Sequence, residues 1–464
     1  MEFETIKDEL LATIDSSLKY SQSLDTNAEF EIYLVYLNKS EVNINQGMVE
    51  AADGILAGNA VRVVTGFERQ KKVAFSAGSG IDTDSVKKNL REALAININL
   101  NITDPRFFDF CDPKQPGHEG LLNDEILTLG TADLVPGNMD LIKECAAVDS
   151  RIRRVSSSST VIWGGFAIGN TRGIQQASRT TRNTFSVDCT AIGENDERKE
   201  GFIYETERSR LVDIQGMGKK AGNRAIGQLG GINLDKTVVL PTIWDPNAAA
   251  SYIRSGLGQS ANGASVVEGL SPLADKIGEK IANPIFSLVD DGQKPNGIST
   301  HAIDREGYPQ QKNIIIEDGV LKSFLFNSYY GNIFGTESTG NCTRSSNLPY
   351  EGTPGIQGLN FETSVGIKSE DTLVHSIDRR GILIREMPMG MFHSNVSTGE
   401  FSVVANESYL IENGTIQGPI RATSVAGNFY DGLKNIRELA DNKRKTPYGV
   451  ETPSILFDGF SIVA

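Results

Sequence analysis

Two pairs of apolar runs, each interrupted by a two-residue turn signal, occur in the last third of the chain. The first pair spans residues 314–321 around Asp318-Gly319, and the second spans residues 409–416 around Asn413-Gly414. Asp, Asn and Gly tolerate positive φ at low cost, so each pair suits a two-residue β-hairpin turn. Because a hairpin makes its two strands antiparallel, this pattern predicts a C-terminal region of mostly antiparallel β-structure with a few helices.

The first hundred residues combine helical and extended patterns. Apolar residues recur at helical spacing over residues 3–20. Extended runs follow at residues 30–37, 60–64 and 72–76. Asp84 is then expected to cap a helix whose apolar face carries Val86, Leu90 and Leu94. This order predicts a small N-terminal α+β domain over residues 1–112, followed by a linker rich in Pro and Gly.

The middle of the chain alternates apolar residues with small polar ones, as antiparallel strands do. The β-like runs lie at residues 155–161, 164–169, 173–178 and 183–191, and helical stretches lie near residues 140–147 and 211–229. Four serines at residues 156–159 suit either a flexible linker or an exposed strand face, and their neighbours Val155 and Val161 favour the strand. We predict an α+β protein with a central, mostly antiparallel β-domain over residues 113–230 and a large β-rich domain over residues 231–464.

Composition and charge narrow the class of protein. A chain of 464 residues usually forms two or three domains. The formal net charge of −14 argues against binding nucleic acid or an anionic membrane, because phosphate contacts need surplus positive charge. The N-terminal residues are acidic where a secretory signal would be basic and apolar, and the four cysteines are widely spaced. We therefore expect a soluble cytoplasmic protein with reduced thiols.

The histidines provide no evident metal site. The four histidines are His118, His301, His375 and His393, and none lies within five residues of another. His118-Glu119 begins a zinc-protease motif, but Leu122 occupies the position of the second ligand. No Gly-x-Ser-x-Gly segment occurs either. We predict no catalytic, cofactor-binding or metal-binding residue in this chain.

Two weaker patterns also favour structural interpretations. Gly216-x-Gly218-x-x-Ala221 matches a dinucleotide-binding pattern, but no βαβ unit surrounds it, so a helix start is expected. Paired carboxylates at Asp290-Asp291, Asp304 with Glu306, and Glu317-Asp318 are able to bind a cation or share a proton. Each pair lies near Gly or Pro, which predicts a solvated turn.

Several segments in order along the chain resemble the TldD/PmbA family, whose members were once called modulators of DNA gyrase. They are Ser-Leu-Val-Asp-Asp-Gly at 287–292, Pro-x-Gly at 295–297, Asp-x-Glu-Gly-x-Pro at 304–309, Ile-Glu-x-Gly-Val-Leu-Lys at 316–322, Thr-Gly-Asn at 339–341, Ser-Thr-Gly-Glu-Phe-Ser at 397–402, Ile-Glu-Asn-Gly at 411–414 and Ser-Val-Ala-Gly-Asn at 424–428. Ala-Val-Arg-Val at 60–63 and Ala-Phe-Ser at 74–76 also fit.

The resemblance implies two kinds of subunit. The TldD kind carries His-Glu-x-x-x-His on a helix and a distant C-terminal Cys, which together bind zinc, whereas the TldE (PmbA) kind lacks these residues. Counting back from residues 289–292 places Arg254, Ser255 and Gln259 at the His, Glu and His positions, and no Cys follows Cys342. This chain therefore resembles the TldE kind, and the resemblance implies that no zinc binds to it.

The resemblance further implies a partner and a substrate. A zinc-bearing TldD-like subunit is expected to form a heterodimer with this chain and to cleave extended or unfolded peptides, including precursors that mature by cleavage. This chain would complete the substrate chamber, and alone it is expected to form a homodimer through the same surface. Two alternatives stay open, namely a regulatory protein that binds gyrase or another target without proteolysis, and an independent hydrolase that uses carboxylates.

Overall fold

Long antiparallel strands organise the first part of the chain in the computed structural model, which describes residues 3–234, 236–421 and 423–463. The strands are β1 Glu29–Asn45, β2 Met48–Thr65, β3 Lys72–Ser79, β4 Ile152–Asn170, β5 Gln175–Ile192, β6 Arg198–Glu207, β7 Val238–Trp244, β8 Leu288–Asp291, β9 Lys312–Glu317, β10 Val320–Leu321, β11 Cys342–Arg344, β12 Pro354–Ile356, β13 Phe361–Thr363, β14 Arg380–Arg385, β15 Glu400–Ala405, β16 Glu407–Glu412, β17 Thr415–Pro419, β18 Thr423–Asn428, β19 Ile436–Leu439, β20 Arg444–Lys445, β21 Val450–Thr452 and β22 Ile455–Val463. The helices are α1 Phe3–Leu24, α2 Thr83–Asn99, α3 Thr131–Ala146, α4 Met217–Gly227, α5 Pro246–Tyr252, α6 Gly258–Ser260, α7 Gly263–Val267, α8 Ser328–Phe334, α9 Glu370–His375 and α10 Phe429–Lys434. The predicted α+β class is confirmed.

The first sheet has the strand order β3-β2-β1-β4-β5-β6, and every neighbouring pair is antiparallel. Helices α1 to α4 pack on one face of this sheet, where Ile6, Leu10 and Ile14 of α1 are fully buried as their spacing predicted. On the opposite face, Ile303 and Tyr350 from the C-terminal half pack against buried residues of β1 and β4. One sheet thus supports the helices on one side and the C-terminal half on the other.

This sheet crosses the first predicted domain boundary. Strands β1 to β3 come from residues 1–112, whereas β4 to β6 come from residues 113–230, and the two sets pair along β1 and β4. The segment 109–120 is irregular, as its Pro and Gly residues predicted. The predicted boundary between residues 112 and 113 therefore divides a single continuous sheet.

Three local expectations need correction. Helix α2 is capped by Asp82, whose side chain accepts hydrogen bonds from the amides of Asp84 and Ser85, so the predicted cap at Asp84 is two residues late. Helix α3 begins at Thr131, earlier than the predicted residue 140. Helix α4 begins only at Met217, because the segment before it runs over the sheet edge without helical structure.

The serine run forms part of β4, and its side chains alternate between the two faces of the sheet. Ser157 and Ser159 are buried and hydrogen bonded to Asn138 of α3, at 2.6 Å each. Ser158 lies on the other face and contacts Ser186 at 2.8 Å. The predicted strand is confirmed, but only every second serine lies on the face away from the helices.

The C-terminal half contains two larger sheets. One has the order β10-β9-β8-β13-β21-β20, and the other has the order β15-β18-β22-β7-β14-β16-β17, with β19 paired to β22. Trp244 and Tyr252 are fully buried in the core between them and make edge-to-face contacts with Phe401, Phe429 and Phe460. Among the described residues, no helix has the length and apolar character needed to cross a bilayer.

Both predicted hairpin turns are confirmed. Asp318 and Gly319 have φ values of 48° and 80°, and Asn413 and Gly414 have φ values of 48° and 72°. Each pair joins directly paired strands, β9 to β10 and β16 to β17. A third turn of the same kind, Gln46-Gly47, joins β1 to β2 and was not predicted, because Gln is not a typical residue at positive φ.

A comparison of the turns at Gly319 and Gly47 separates two costs of adding a side chain, which are backbone strain at positive φ and steric crowding. A Cβ atom at Gly319 would lie 2.4 Å from the carbonyl oxygen of Ala282, whereas a Cβ atom at Gly47 would meet nothing within 4 Å. We expect Gly47→Ala to lower the free energy of unfolding by about 1 kcal/mol through positive φ alone, and Gly319→Ala to lower it by about 2–4 kcal/mol. Denaturant unfolding of both variants measures this difference. Equal effects would contradict the packing of this turn against Ala282.

Candidate functional site

A short helical stretch at the centre of the C-terminal half carries the positions at which the resemblance places zinc ligands. It comprises α5, a π-helical turn at Ile253–Leu257, and α6. Asp245 caps its start by accepting a hydrogen bond from the amide of Ala248 at 2.9 Å. Three consecutive alanines, residues 248–250, are fully buried, and their small side chains allow the helix to pass close to the surrounding strands.

The residues at the three ligand positions are unsuited to zinc. Arg254 is half-buried; burial lowers the pKa of its guanidinium, and the nearby carboxylate of Asp290 acts in the opposite direction. A guanidinium remains protonated and has no lone pair for a metal. Ser255 is half-buried and Gln259 is exposed, and neither supplies an imidazole. Within the part of the chain that the structure describes, no group of three or more His, Cys, Asp or Glu residues is arranged to hold a metal ion.

Asp290, beside Arg254, organises the loop that approaches it. One carboxylate oxygen accepts hydrogen bonds from the amides of Leu359 and Asn360 at 2.7 and 2.9 Å. The other accepts one from the side-chain amide of Asn341 at 2.6 Å. Asp290 is fully buried, and this burial raises its pKa to about 6 despite the three donors. Its role is to hold residues 341 and 359–360 in place.

A polar cavity of about 220 Å³ lies between the first sheet and the C-terminal half. Its wall contains Arg182 from β5 and, from the C-terminal half, His301, Asp304, Arg305 and Cys342. The backbone at residues 357–359, which Asp290 holds, forms another part of the wall. The cavity is thus built from segments that are far apart in sequence and close to the Arg254 position.

Positive charge dominates this cavity. The pKa of His301 is held well below its usual range, first by burial and then by the guanidiniums of Arg305, Arg208 and Arg182. His301 is therefore neutral at pH 7, and its Nδ1 donates to the carbonyl oxygen of Arg179 at 3.1 Å. Burial also lowers the pKa of Arg182, and Arg305 adds to that effect.

A second charged cluster lies next to the cavity and joins the two halves of the molecule. It contains two arginines and two glutamates, so its charges balance. Arg62 of β2 makes a two-point contact with Glu31 of β1, at 2.7 and 2.6 Å, and also contacts Glu306 at 3.3 Å. Arg344 donates to Oε1 of Glu31, the oxygen that also accepts from Nε of Arg62. All four side chains are buried. Two of the segments that carry the resemblance, residues 60–63 and 304–309, thus meet through an ion pair.

The paired carboxylates were expected to lie in solvated turns. For three of these residues the expectation was wrong, because they are buried. Asp290, Asp304 and Glu306 are at most 1% exposed. Asp304 accepts hydrogen bonds from the amides of Glu306, Tyr308 and Cys342, and burial together with Glu306 raises its pKa to about 7. Solvent exposure was predicted because Asp304 and Glu306 lie in a turn near Gly. In the structure, the first sheet and its arginines cover this turn.

The other candidates from the sequence have structural roles. The Nδ1 of His118 accepts a hydrogen bond from the amide of Gly120. Glu119 accepts from the hydroxyl of Ser178 at 2.8 Å and from the amide of Arg179. Gly216 adopts positive φ at the cap of α4, which confirms the predicted helix start. The cavity arginines could not be identified from the sequence, because Arg182 lies outside the recognised segments and Arg305 occupies an unspecified position of the 304–309 segment.

Comparisons with known proteins agree on one family. Residues 129–229 match the PmbA/TldA metallopeptidase central domain, and residues 237–464 match the PmbA/TldA metallopeptidase C-terminal domain. An uncharacterized protein of Methanocaldococcus jannaschii is 25% identical over 93% of this chain and 96% of its own length. A metalloprotease TldD homolog of Buchnera aphidicola is 24% identical over 68% of this chain and 69% of its own.

Among solved structures, TldE from Thermococcus kodakarensis superposes with a TM-score of 0.83 at 23% sequence identity. The match covers 97% of this chain and 100% of that one, so the two share a fold. The family matches together cover most of the chain and include strands β4 to β6 of the first sheet and the C-terminal sheets. The protein therefore belongs to the PmbA/TldD family, whose named relatives include metalloproteases.

Proposed function

We propose that this chain is the non-catalytic, TldE-type subunit of a two-component metalloprotease that cleaves extended peptides. The observation that carries the proposal is the replacement of the zinc ligands. Arg254 brings a permanent positive charge to the position of the first histidine, and its guanidinium is half-buried. A cation at that position would repel Zn²⁺, so the metal and the cleavage step belong to the partner subunit.

The first sheet offers a surface suited to a substrate chamber. On its face away from the helices, β4 and β5 expose Ser158, Ser186 and Arg182. Such a small, polar face would tolerate many peptide side chains without binding any of them strongly. This supports a role in enclosing an extended substrate while the zinc-bearing subunit provides the chemistry.

A free strand edge supports the proposed pairing of subunits. Strand β3 pairs with β2 only from Gly58 onward, so residues 48–56 of β2 have no neighbouring strand on that side among the residues that the structure describes. Met48 and Ile55 are 68% and 58% exposed, and residues 48–55 are exposed on both faces of the ribbon. Long exposed edges invite pairing with another chain. We assign this edge to the contact with the partner subunit.

Association provides the test of this proposal. We expect the isolated chain to form a homodimer and to exchange into a heterodimer when a zinc-bearing relative from the same cell is added, because the same apolar surface serves both contacts. Light scattering at low micromolar concentration measures both states. Ile55→Lys should weaken both by about 10-fold or more, since a lysine charge would be buried at the edge. Val239→Lys, at an exposed apolar position on β7, is the matched control.

A strictly monomeric chain that does not bind a zinc-bearing relative would contradict the proposed pairing. If Ile55→Lys leaves the binding unchanged, the contact with the partner lies elsewhere on the molecule.

A further inference from the structure

The arginines on the wall of the polar cavity form no salt bridge with an acidic side chain among the described residues. The neighbouring pair Arg62 and Arg344 is matched by Glu31 and Glu306. In contrast, within the described ranges the guanidiniums of Arg182 and Arg305 form no salt bridge and no hydrogen bond with a protein group. Two arginines on the wall of one cavity therefore keep their hydrogen-bonding capacity free.

The packing fixes both guanidiniums in place without neutralising them. The guanidinium carbon of Arg305 lies 3.6 Å from the centre of the Phe166 ring, and its Nη1 is buried without a partner. Arg182 also lines the cavity, and its side chain is exposed. Arg208, behind them, is fully buried and donates only to the carbonyl oxygens of Glu119 and Arg179. Three guanidiniums around one cavity repel one another, and a bound anion would relieve that repulsion.

The acidic groups nearest the cavity are already occupied. Asp304 lies on the wall, but both of its oxygens accept hydrogen bonds from backbone amides. Glu119 is engaged by the Ser178 hydroxyl and the Arg179 amide. His301 is neutral, so it adds neither positive nor negative charge to the cavity. Among the described residues, these acidic groups therefore form no salt bridge with Arg182 or Arg305.

We propose that this cavity binds the terminal carboxylate of a peptide, with Arg182 and Arg305 as its ligands. A guanidinium presents parallel N–H donors that match the two oxygens of a carboxylate. The volume of about 220 Å³ admits a group of single-residue size and is below the range of typical cofactor pockets. The site belongs to this chain alone, so its test does not depend on pairing with a zinc-bearing subunit.

Calorimetry of the full chain at low ionic strength tests the site with three probes. They are N-acetyl-alanyl-alanine with a free carboxylate, the same dipeptide as its C-terminal amide, and inorganic phosphate. We expect saturable binding of the free acid, weaker binding at higher salt, and no binding of the amide. Arg182→Gln and Arg305→Gln should each weaken the binding of the acid by about 10- to 100-fold, the loss expected when a charged hydrogen-bonding group is removed. Arg154→Gln, at an exposed position on β4, should leave it unchanged.

The stability of the same variants separates a binding role from a structural one. Because Arg182 and Arg305 form no salt bridge within the part of the chain that the structure describes, their replacement should leave the melting temperature unchanged or raise it. Equal binding of acid and amide, binding of phosphate alone, or wild-type affinity of both variants would overturn the proposal. A lower melting temperature for both variants would also overturn it, because that result would indicate a structural role.

Discussion

Replacing Glu31 with alanine is expected to lower the free energy of unfolding by about 3–5 kcal/mol, because it leaves two buried guanidiniums without their counter-charge. Glu31 is 1% exposed and accepts hydrogen bonds from both Arg62 and Arg344. The contact also joins β1 and β2 to residues 304–344 of the C-terminal half. Its loss should therefore loosen the junction between the halves as well as the first sheet.

Glu41, on the same strand, provides the matched control. It pairs with Lys39 at the surface, and both side chains are about one third exposed. Such pairs contribute about 0–1 kcal/mol, so Glu41→Ala should have little effect on denaturant unfolding. If Glu31→Ala and Glu41→Ala lower the free energy of unfolding by similar amounts, the buried Glu31 contact does not stabilise the junction between the two halves.

The pH dependence of the Glu31 contribution follows from its pKa. Burial alone would raise the pKa of Glu31, but Arg62 and Arg344 outweigh burial and hold it below its usual value of 4.5. A carboxyl with a lowered pKa in the folded state stabilises the protein above its unfolded pKa, and that stabilisation is lost as the pH falls through the folded pKa. The difference between wild type and Glu31→Ala should accordingly shrink below about pH 4.5.

Asp290→Ala is the second change with a large expected effect. It removes the acceptor of two buried amides and of the Asn341 side chain, and we expect a loss of about 2–5 kcal/mol. The side chain of Asp291, the next residue, is half-buried and, within the described residues, accepts one hydrogen bond, from the amide of Gln293. Asp291→Ala should cost less than about 1 kcal/mol, which makes it a close control in the same strand. Thermal unfolding of both variants measures the contrast.

The Asp290 variant should also change how stability depends on pH. Burial raises the pKa of Asp290 to about 6 from 3.8, so its stabilising contribution is complete below about pH 3.8 and declines as the pH rises through about 6. The loss caused by Asp290→Ala should therefore be larger at pH 4 than at pH 7. A loss that grows toward neutral pH would contradict the burial of this carboxylate.

Features that depend on local sequence could be predicted, as the hairpins demonstrate. Asp318-Gly319 and Asn413-Gly414 specify their turns through the φ preferences of the two residues themselves. The cap of α2 was placed two residues late because several acidic residues lie near its start, and only the hydrogen bonds identify Asp82. Local chemistry thus predicts the type of an element better than its ends.

The sites at the junction could not be predicted, because their partners are distant along the chain. Arg344 and Glu31 are 313 residues apart, and Ser178 and His301 are 123 apart. Asp304 and Glu306 lie in a turn with Gly307, which by itself predicts exposure, and only the packing of the first sheet buries them. The pairing of β1 with β4 across the boundary predicted at residue 112 could not be foreseen for the same reason.

We propose that this chain holds no catalytic metal and that a partner subunit carries out the cleavage. The most direct measurement is the zinc content of the purified chain together with its cleavage of an unfolded peptide, alone and after addition of a relative that carries His-Glu-x-x-x-His. We predict no stoichiometric zinc and no cleavage by the chain alone, and chelator-sensitive cleavage when both chains are present. One zinc ion per chain with chelator-sensitive cleavage by this chain alone would contradict the account.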